Sequence, residues 1–226
     1  WGFLPLVVLL GICGGLLLKQ PDTDTLLIIA ITGLTMFVVA GGRWRYVFLT
    51  IIAGVMGIAF LALTRPYVMQ RIQTFLNPTS DALGSSYQIQ QSLIAIGSGG
   101  IFGRGFGQSV QKYTYLPEPV GDSIFAVAAE EFGFVGSVLL ILIFVMFATR
   151  GLKLATHIPN AFGRLTVVGI VIIIISQAFV NIGAMLGVLP LSGITLPFVS
   201  HGGTSLFVSL FEVGVILSIS KTRSHS

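Results

Sequence analysis

Asp122 ends the polar stretch LPEPVGD at 116–122, and the apolar run SIFAVAAEEFGFVG follows at once, carrying Glu130 and Glu131. A carboxylate can take a proton, hold a cation or cap a helix. Such groups are scarce here: 8 acidic and 12 basic residues stand among 226, and 54% of the chain is hydrophobic. Composition leaves two readings of Asp122 level. One is chemical, as base or cation ligand; the other is an N-cap bonding the first amides of the helix. Capping lowers a carboxyl pKa, whereas burial beside lipid raises it toward the range useful to a base. Glu130 comes eight residues later, about 12 Å deeper along a helix and turned by about 80°, so it cannot share one small reaction centre with Asp122 and reads as structural.

The elements that must position these groups are apolar. The mean hydropathy is +0.96, and six windows, roughly 3–18, 26–42, 46–63, 124–148, 165–189 and 203–219, are long enough to cross a membrane. The expected fold is all-α: a polytopic integral membrane bundle forming a single transmembrane domain over 1–226. The first window is apolar throughout, unlike a signal peptide with a cleavage site, and the chain starts at Trp1, as expected of the C-terminal part of a longer protein. The single cysteine, Cys13, excludes a disulfide framework and reads as packing. Basic residues are scattered without aromatic clustering, which argues against nucleic acid as a partner.

Charge sets the topology. Arg43, Arg45, Arg150, Lys153, Arg164, Lys221 and Arg223 fall on one side of an alternating bundle with no acidic residue among them, which marks that side as cytoplasmic. The other side holds Lys19, Arg65, Arg71, Arg104 and Lys112 with Asp22, Asp24, Asp81, Glu118 and Asp122. The long connection 64–123 is then extracytoplasmic. Within it YQIQQSLIAIG (87–97) predicts a membrane-surface helix with Ile89, Leu93 and Ile96 on its apolar side. GSGGIFGRGFGQS (97–109) is either a turn or a nest of amides for an anion. Glu130, Glu131, Ser176, Gln177, Asn181 and Glu212 are costly at membrane depth, and Gln177 and Asn181 read as interhelical glue. Gly183 and Gly187 form a GxxxG pair for close helix approach. GVLPLSGITLPFVSHGGTS (187–205) is too broken for a helix and could roof a pocket with the long loop.

Four stretches taken in order, QPD (20–22), YQIQQSLIAIGSGGIFGRGFGQS (87–109), LPEPVGDSIFAVAAEEFGFVG (116–136) and LPFVSHGGTS (196–205), resemble the signatures of the SEDS family. These are the membrane peptidoglycan glycosyltransferases of bacterial shape, elongation, division and sporulation. The resemblance covers essentially the whole chain and corresponds to the later six of the family's ten transmembrane helices. SVQK (109–112) and ITLPF (194–198) are more similar to the division branch than to the elongation branch. The chain departs from the family pattern at Asp24, His201, the Pro119–Val120–Gly121 stretch and Ser192.

The resemblance implies polymerisation of lipid II at the outer face of the bacterial cytoplasmic membrane, at the division site. Asp122 matches the family's essential aspartate, as general base or as carrier of a divalent cation (Mg or Mn) that orients the acceptor hydroxyl. Arg71 and Lys112 foremost, with Arg65 and Arg104, would meet the pyrophosphate of the undecaprenyl-linked glycan, since guanidinium forks and ammonium groups suit phosphate oxygens. Glu118 would assist Asp122 or pair with Lys112, and Gln91, Asp22, Ser200, Gly202 and Gly203 complete the implied substrate contacts. One indispensable carboxylate fits an inverting displacement, because a retaining route needs two about 5 Å apart. The implied partners are a class B penicillin-binding transpeptidase and other division proteins. The alternatives are a lipid II flippase, whose sites lie at mid-membrane on repeated broken helices, and a non-catalytic scaffold for the transpeptidase. The six-helix portion alone is expected to be inactive.

Overall fold

The structure, a computed structural model, describes residues 2–20, 22–77 and 85–221; Pro21, Asp81 and Arg223 lie outside them. Among the described residues every regular element is a helix: α1 Phe3–Leu17, α2 Thr23–Val39, α3 Trp44–Thr64, α4 Pro66–Leu76, α5 Ser85–Ser98, α6 Gln111–Thr114, α7 Ile124–Thr156, α8 Ala161–Met185 and α9 Gly203–Ser220. Each expected span falls on a helix. Four of them, α3, α7, α8 and α9, are long and apolar enough to cross a membrane. The first two are shorter apolar helices, 15 and 17 residues. A turn through Leu18, Lys19 and Gln20 ends α1, and the Asp22 carboxylate caps α2 by accepting from the Thr25 amide at 3.0 Å.

The chain divides into two compact units. The first comprises Trp1–Ala59, Met146–Ser176 and Val208–Ser226. Its core gathers Ala155, Ile158, Val167, Val168, Val171 and Ile216, and Phe3 stacks on Tyr46 at 4.5 Å while Arg45 sits over the same ring. Cys13 is a free, partly exposed thiol on α1.

The second unit, Phe60–Val145 with Gln177–Phe207, holds the candidate site. It contains α4, a helix outside the six apolar windows: Pro66 opens it after an extended Arg65, and Val68 and Thr74 are buried along it. The helix expected over 87–97 is α5; Ile89 and Ile96 of its expected apolar side face inward, but Leu93 does not. Ser86, Ile89, Ser92 and Ala95 are buried while Leu93 and Ile94 are exposed, because the three-residue step of the small residues lets α5 pack closely. The expected GxxxG pair is not a helix contact. Gly187 lies beyond α8 with φ of 68°, and the amides of Val188 and Leu189 fold back onto the Gly183 carbonyl, a left-handed helix end.

The unit's central feature is a break in α7. Gly133 has φ 67° and ψ −165°, so the helical ladder is interrupted there. The orphaned groups are met by the glycine-rich segment after α5. The carbonyls of Glu130 and Glu131 accept from the amides of Arg104 and Gly105, both at 3.0 Å, and the amides of Phe134 and Val135 donate to the carbonyls of Gly100 and Ile101 at 2.9 and 3.1 Å. Side chains are excluded from this junction. A Cβ on Gly103 would fall 2.6 Å from the Phe132 carbonyl carbon and nearer still to the Glu131 oxygen, and one on Gly133 would run into Ile101 and Gly103. The segment is therefore not a loose turn: its Arg104 and Gly105 amides are taken up by the broken helix.

Candidate active site

Asp122 sits on a tight turn just ahead of α7. Glu118, held at φ 45° between two prolines, offers its carbonyl to the amides of Gly121 and Ser123 at 3.0 and 3.3 Å, which bends the chain into the span. The Ser123 carbonyl then receives the amides of Ala126 and Val127. The helix thus begins two residues after Asp122. The capping position belongs to Ser123, and among the described hydrogen bonds none joins the Asp122 carboxylate to the first amides of α7.

Three successive carbonyls of this turn are gripped from the 181–201 region. The His201 amide donates to Val120 at 2.8 Å, the Ser200 hydroxyl to Gly121 at 2.6 Å, and the Asn181 side-chain amide to Asp122 at 2.6 Å. Each donor is itself fixed. Ser200 Oγ accepts from the Leu196 amide at 2.7 Å, and Asn181, fully buried, also donates to the Ile194 carbonyl at 2.7 Å. His201 acts through its main chain, so its side chain can differ from the family pattern without loosening the grip. From α5, Gln88 Nε2 donates to Ser123 Oγ at 3.0 Å, and that hydroxyl lies 2.9 Å from the Pro117 carbonyl and 3.3 Å from Asp122 Oδ1. At roughly 0.5–1.5 kcal/mol each, these bonds fix the turn without touching the reactive oxygens heavily.

The carboxyl itself is half-buried. Burial pushes the Asp122 pKa above the usual carboxylate value, hydrogen bonds from Gln88, Ser123 and its own amide pull back, and the Glu118 charge adds to the rise. Lys112 pairs with Glu131, while Glu118 belongs to the turn that carries Asp122.

Lys112 and Arg104 gather at a second acidic pair. Lys112 Nζ is 2.6 Å from Glu131 Oε1, and that bond holds the ammonium above the ordinary lysine value. Glu130 is 0% exposed and accepts from Ser109 Oγ at 2.5 Å, Ser98 Oγ at 3.3 Å and the amides of Val110 and Gln111 at 3.2 and 3.3 Å, with Arg104 Nε at 3.6 Å. This saturation matches the structural role expected of Glu130.

The remaining expected residues are dispersed. Arg65 is exposed ahead of α4, and Arg71 is partly buried on that helix with an interaction of its own. Gln91 is partly buried on α5, Gly202 and Gly203 open α9, and Asp22 caps α2 in the first unit. Glu212 is partly exposed on α9. Gln88 is a contact that motif reasoning does not single out, although its place one turn before the small-residue face of α5 is a signal that could find it. Asn181, expected as glue between helices, instead holds the Asp122 turn through its amide.

Fold and site together define a polytopic helical membrane protein with a clamped aspartate at the mouth of a broken span. The FtsW/RodA/SpoVE family model, described as "Cell cycle protein", matches residues 1–225, and the chain belongs to that family. It is 44% identical over 221 residues to stage V sporulation protein E of Bacillus subtilis, covering 97% of this chain and 60% of that one. It is also 44% identical over 223 residues to the probable peptidoglycan glycosyltransferase FtsW of Coxiella burnetii, covering 96% and 59%. The chain thus spans about three fifths of these relatives' length. Among solved structures, one chain of a peptidoglycan synthase complex superposes with a TM-score of 0.77 at 29% identity, over 98% of this chain and 62% of that one. The rod shape determining protein RodA of Thermus thermophilus superposes at 0.66 and 27%, over 100% and 58%.

Proposed function

We propose that this chain is the catalytic-aspartate portion of a peptidoglycan glycosyltransferase that polymerises lipid II at the outer face of the bacterial cytoplasmic membrane, in the division branch of the family. The observation that carries the reading is the state of Asp122: a carboxylate held by its main chain, raised in pKa by burial, and free of the helix cap that would occupy its oxygens.

In this reading the Asp122 carboxylate takes the proton from the 4-hydroxyl of an incoming lipid II. The alkoxide oxygen bonds to the anomeric carbon of the lipid-linked glycan as the bond to pyrophosphate breaks. One base and one displacement invert the anomeric centre. The leaving group departs as a pyrophosphate monoester and needs positive charge rather than a general acid; Arg71 and Arg65 are the proposed source, with Arg104 and Lys112 acting mainly through their carboxylate pairs. Asp122 and Glu118, on one turn, also fit a Mg or Mn ion of the kind held by one or two carboxylates plus substrate phosphate. Such an ion would supply charge to the pyrophosphate and orient the hydroxyl. Ser200 is reassigned from substrate contact to positioning of the base, and Gln91, Gly202, Gly203 and Asp22 stay proposed contacts of the full-length protein. Assembly with a class B penicillin-binding transpeptidase is supported by the likeness to a chain of a synthase complex.

The test is Asp122→Asn in the full-length protein. Glycan synthesis from lipid II should fall by about 100- to 10,000-fold, the range of general-base contributions, while lipid II binding and the melting temperature hold. Strands made at the wild-type rate would end the reading.

A further inference from the structure

The glycine-rich segment cannot lie in water above the bilayer if α7 is to cross it. After Glu131 the next charged residue is Arg150, so the uncharged run is 132–149, 18 residues. As helix it spans about 27 Å, against about 30 Å of hydrocarbon. All of the run is needed, including Phe132, Phe134 and Val135, which are 46%, 67% and 51% exposed. The segment is tied to that depth by direct bonds, since Phe134 and Val135 donate to the carbonyls of Gly100 and Ile101. Non-helical backbone is tolerated there where its polar groups are met within the protein, and the break in α7 meets the carbonyls of Gly100 and Ile101 and the amides of Arg104 and Gly105.

The side chains agree with this placement. Phe102 and Phe106 are 83% and 82% exposed, and the Phe106 ring lies 6.0 Å from that of Phe132, continuing the apolar face of the span. Between them Arg104, 42% exposed, is drawn toward Glu130 at 3.6 Å. Two bare aromatic rings flanking a half-exposed guanidinium match an acyl-chain and phosphate boundary, where aromatics and long cations concentrate.

We infer that residues 101–106 form a re-entrant element that docks outer-leaflet phospholipid, with Phe102 and Phe106 among acyl chains and Arg104 at phosphate level. Glu130 and the helix break hold it there. The element is independent of the proposed chemistry at Asp122.

The experiment places a sole tryptophan in the full-length protein by Phe106→Trp, in a background otherwise free of tryptophan, reconstituted into phosphatidylcholine vesicles. Phosphatidylcholine brominated near the headgroup end of its acyl chain should quench the emission more than lipid brominated near the methyl end, and aqueous iodide should have no effect. Quenching by iodide alone would put the loop in water and overturn the inference. Indifference to both quenchers would overturn it equally, by showing that another helix or a partner covers the rings. Phe102→Trp repeats the measurement at the second exposed ring, so one poorly folded variant does not decide the outcome.

Discussion

Asp122 and Glu130 stand eight residues apart at the same end of α7, yet the protein treats them in opposite ways. Around Asp122 the strong hydrogen bonds go to the main chain: His201, Ser200 and Asn181 hold three consecutive carbonyls, while among the described residues the carboxylate meets Gln88, Ser123 and its own amide. Around Glu130 the donors go to the carboxylate, which receives two hydroxyls, two amides and an arginine with no exposure to solvent. A carboxylate whose lone pairs are all engaged has no place for a substrate proton. One whose backbone is rigid but whose oxygens are lightly held has both a fixed position and spare basicity. The contrast separates the proposed base from the structural carboxylate more sharply than their depth along the helix does.

The largest stability effect that would sharpen this contrast is at Glu130. Glu130→Ala leaves Ser109, Ser98 and the amides of Val110 and Gln111 without their acceptor, and should destabilise the protein by about 1–3 kcal/mol for each buried donor left unpaired. Asp122→Asn should leave the same thermal melt in place, and equal losses at the two positions would erase the distinction. Gly103→Ala comes next. A Cβ there meets the Glu131 carbonyl at φ 80°, so left-handed strain of about 1–2 kcal/mol adds to overpacking of about 1–3 kcal/mol. Both variants should lower the melting temperature, and an unchanged melt for Gly103→Ala would deny that the loop is keyed into the helix.

Much of this is legible in the residues. Six apolar windows place six helices, because a long run of apolar side chains has few alternatives in lipid. Asp122 lies at the mouth of α7 and Glu130 is buried in a saturated site, as spacing suggests, whereas Ser200, expected as a substrate contact, instead holds the Gly121 carbonyl. What escapes reading depends on tertiary partners. The break in α7 has one local sign, Gly133, which by itself is compatible with an unbroken span; its meaning comes from Gly100, Ile101, Arg104 and Gly105, about thirty residues earlier. The same holds for Lys112 and Arg104, which their side of the membrane marks as phosphate ligands. Their engagement with Glu131 and Glu130 requires that loop to fold down onto the span. The inner face of α5 departs from its apolar pattern at Leu93 because serines, not the larger aliphatics, let it approach its neighbours. Helix α4 is passed over because its 11 residues are too few for a span, although its apolar positions 68, 69, 72, 75 and 76 recur at helical spacing.

The smallest expected effects concern the acid limb of the pH–rate profile, and they test whether Asp122 is governed by its lightly held oxygens. The base works ionised, so activity falls as pH drops through its pKa. Burial raises that pKa first, so the wild-type limb should lie above that of an ordinary aspartate. Glu118→Gln removes a neighbouring negative charge that resists ionisation, and the limb should move to lower pH. Gln88→Ala removes a donor that favours the charged form, and the limb should move to higher pH. The two shifts have opposite signs, which a general loss of folding would not produce. Polymerisation measured as kcat/KM against pH reads the free enzyme directly. Limbs that coincide in all three proteins would mean that some other group titrates, and the case for Asp122 as the base would then rest on its position alone.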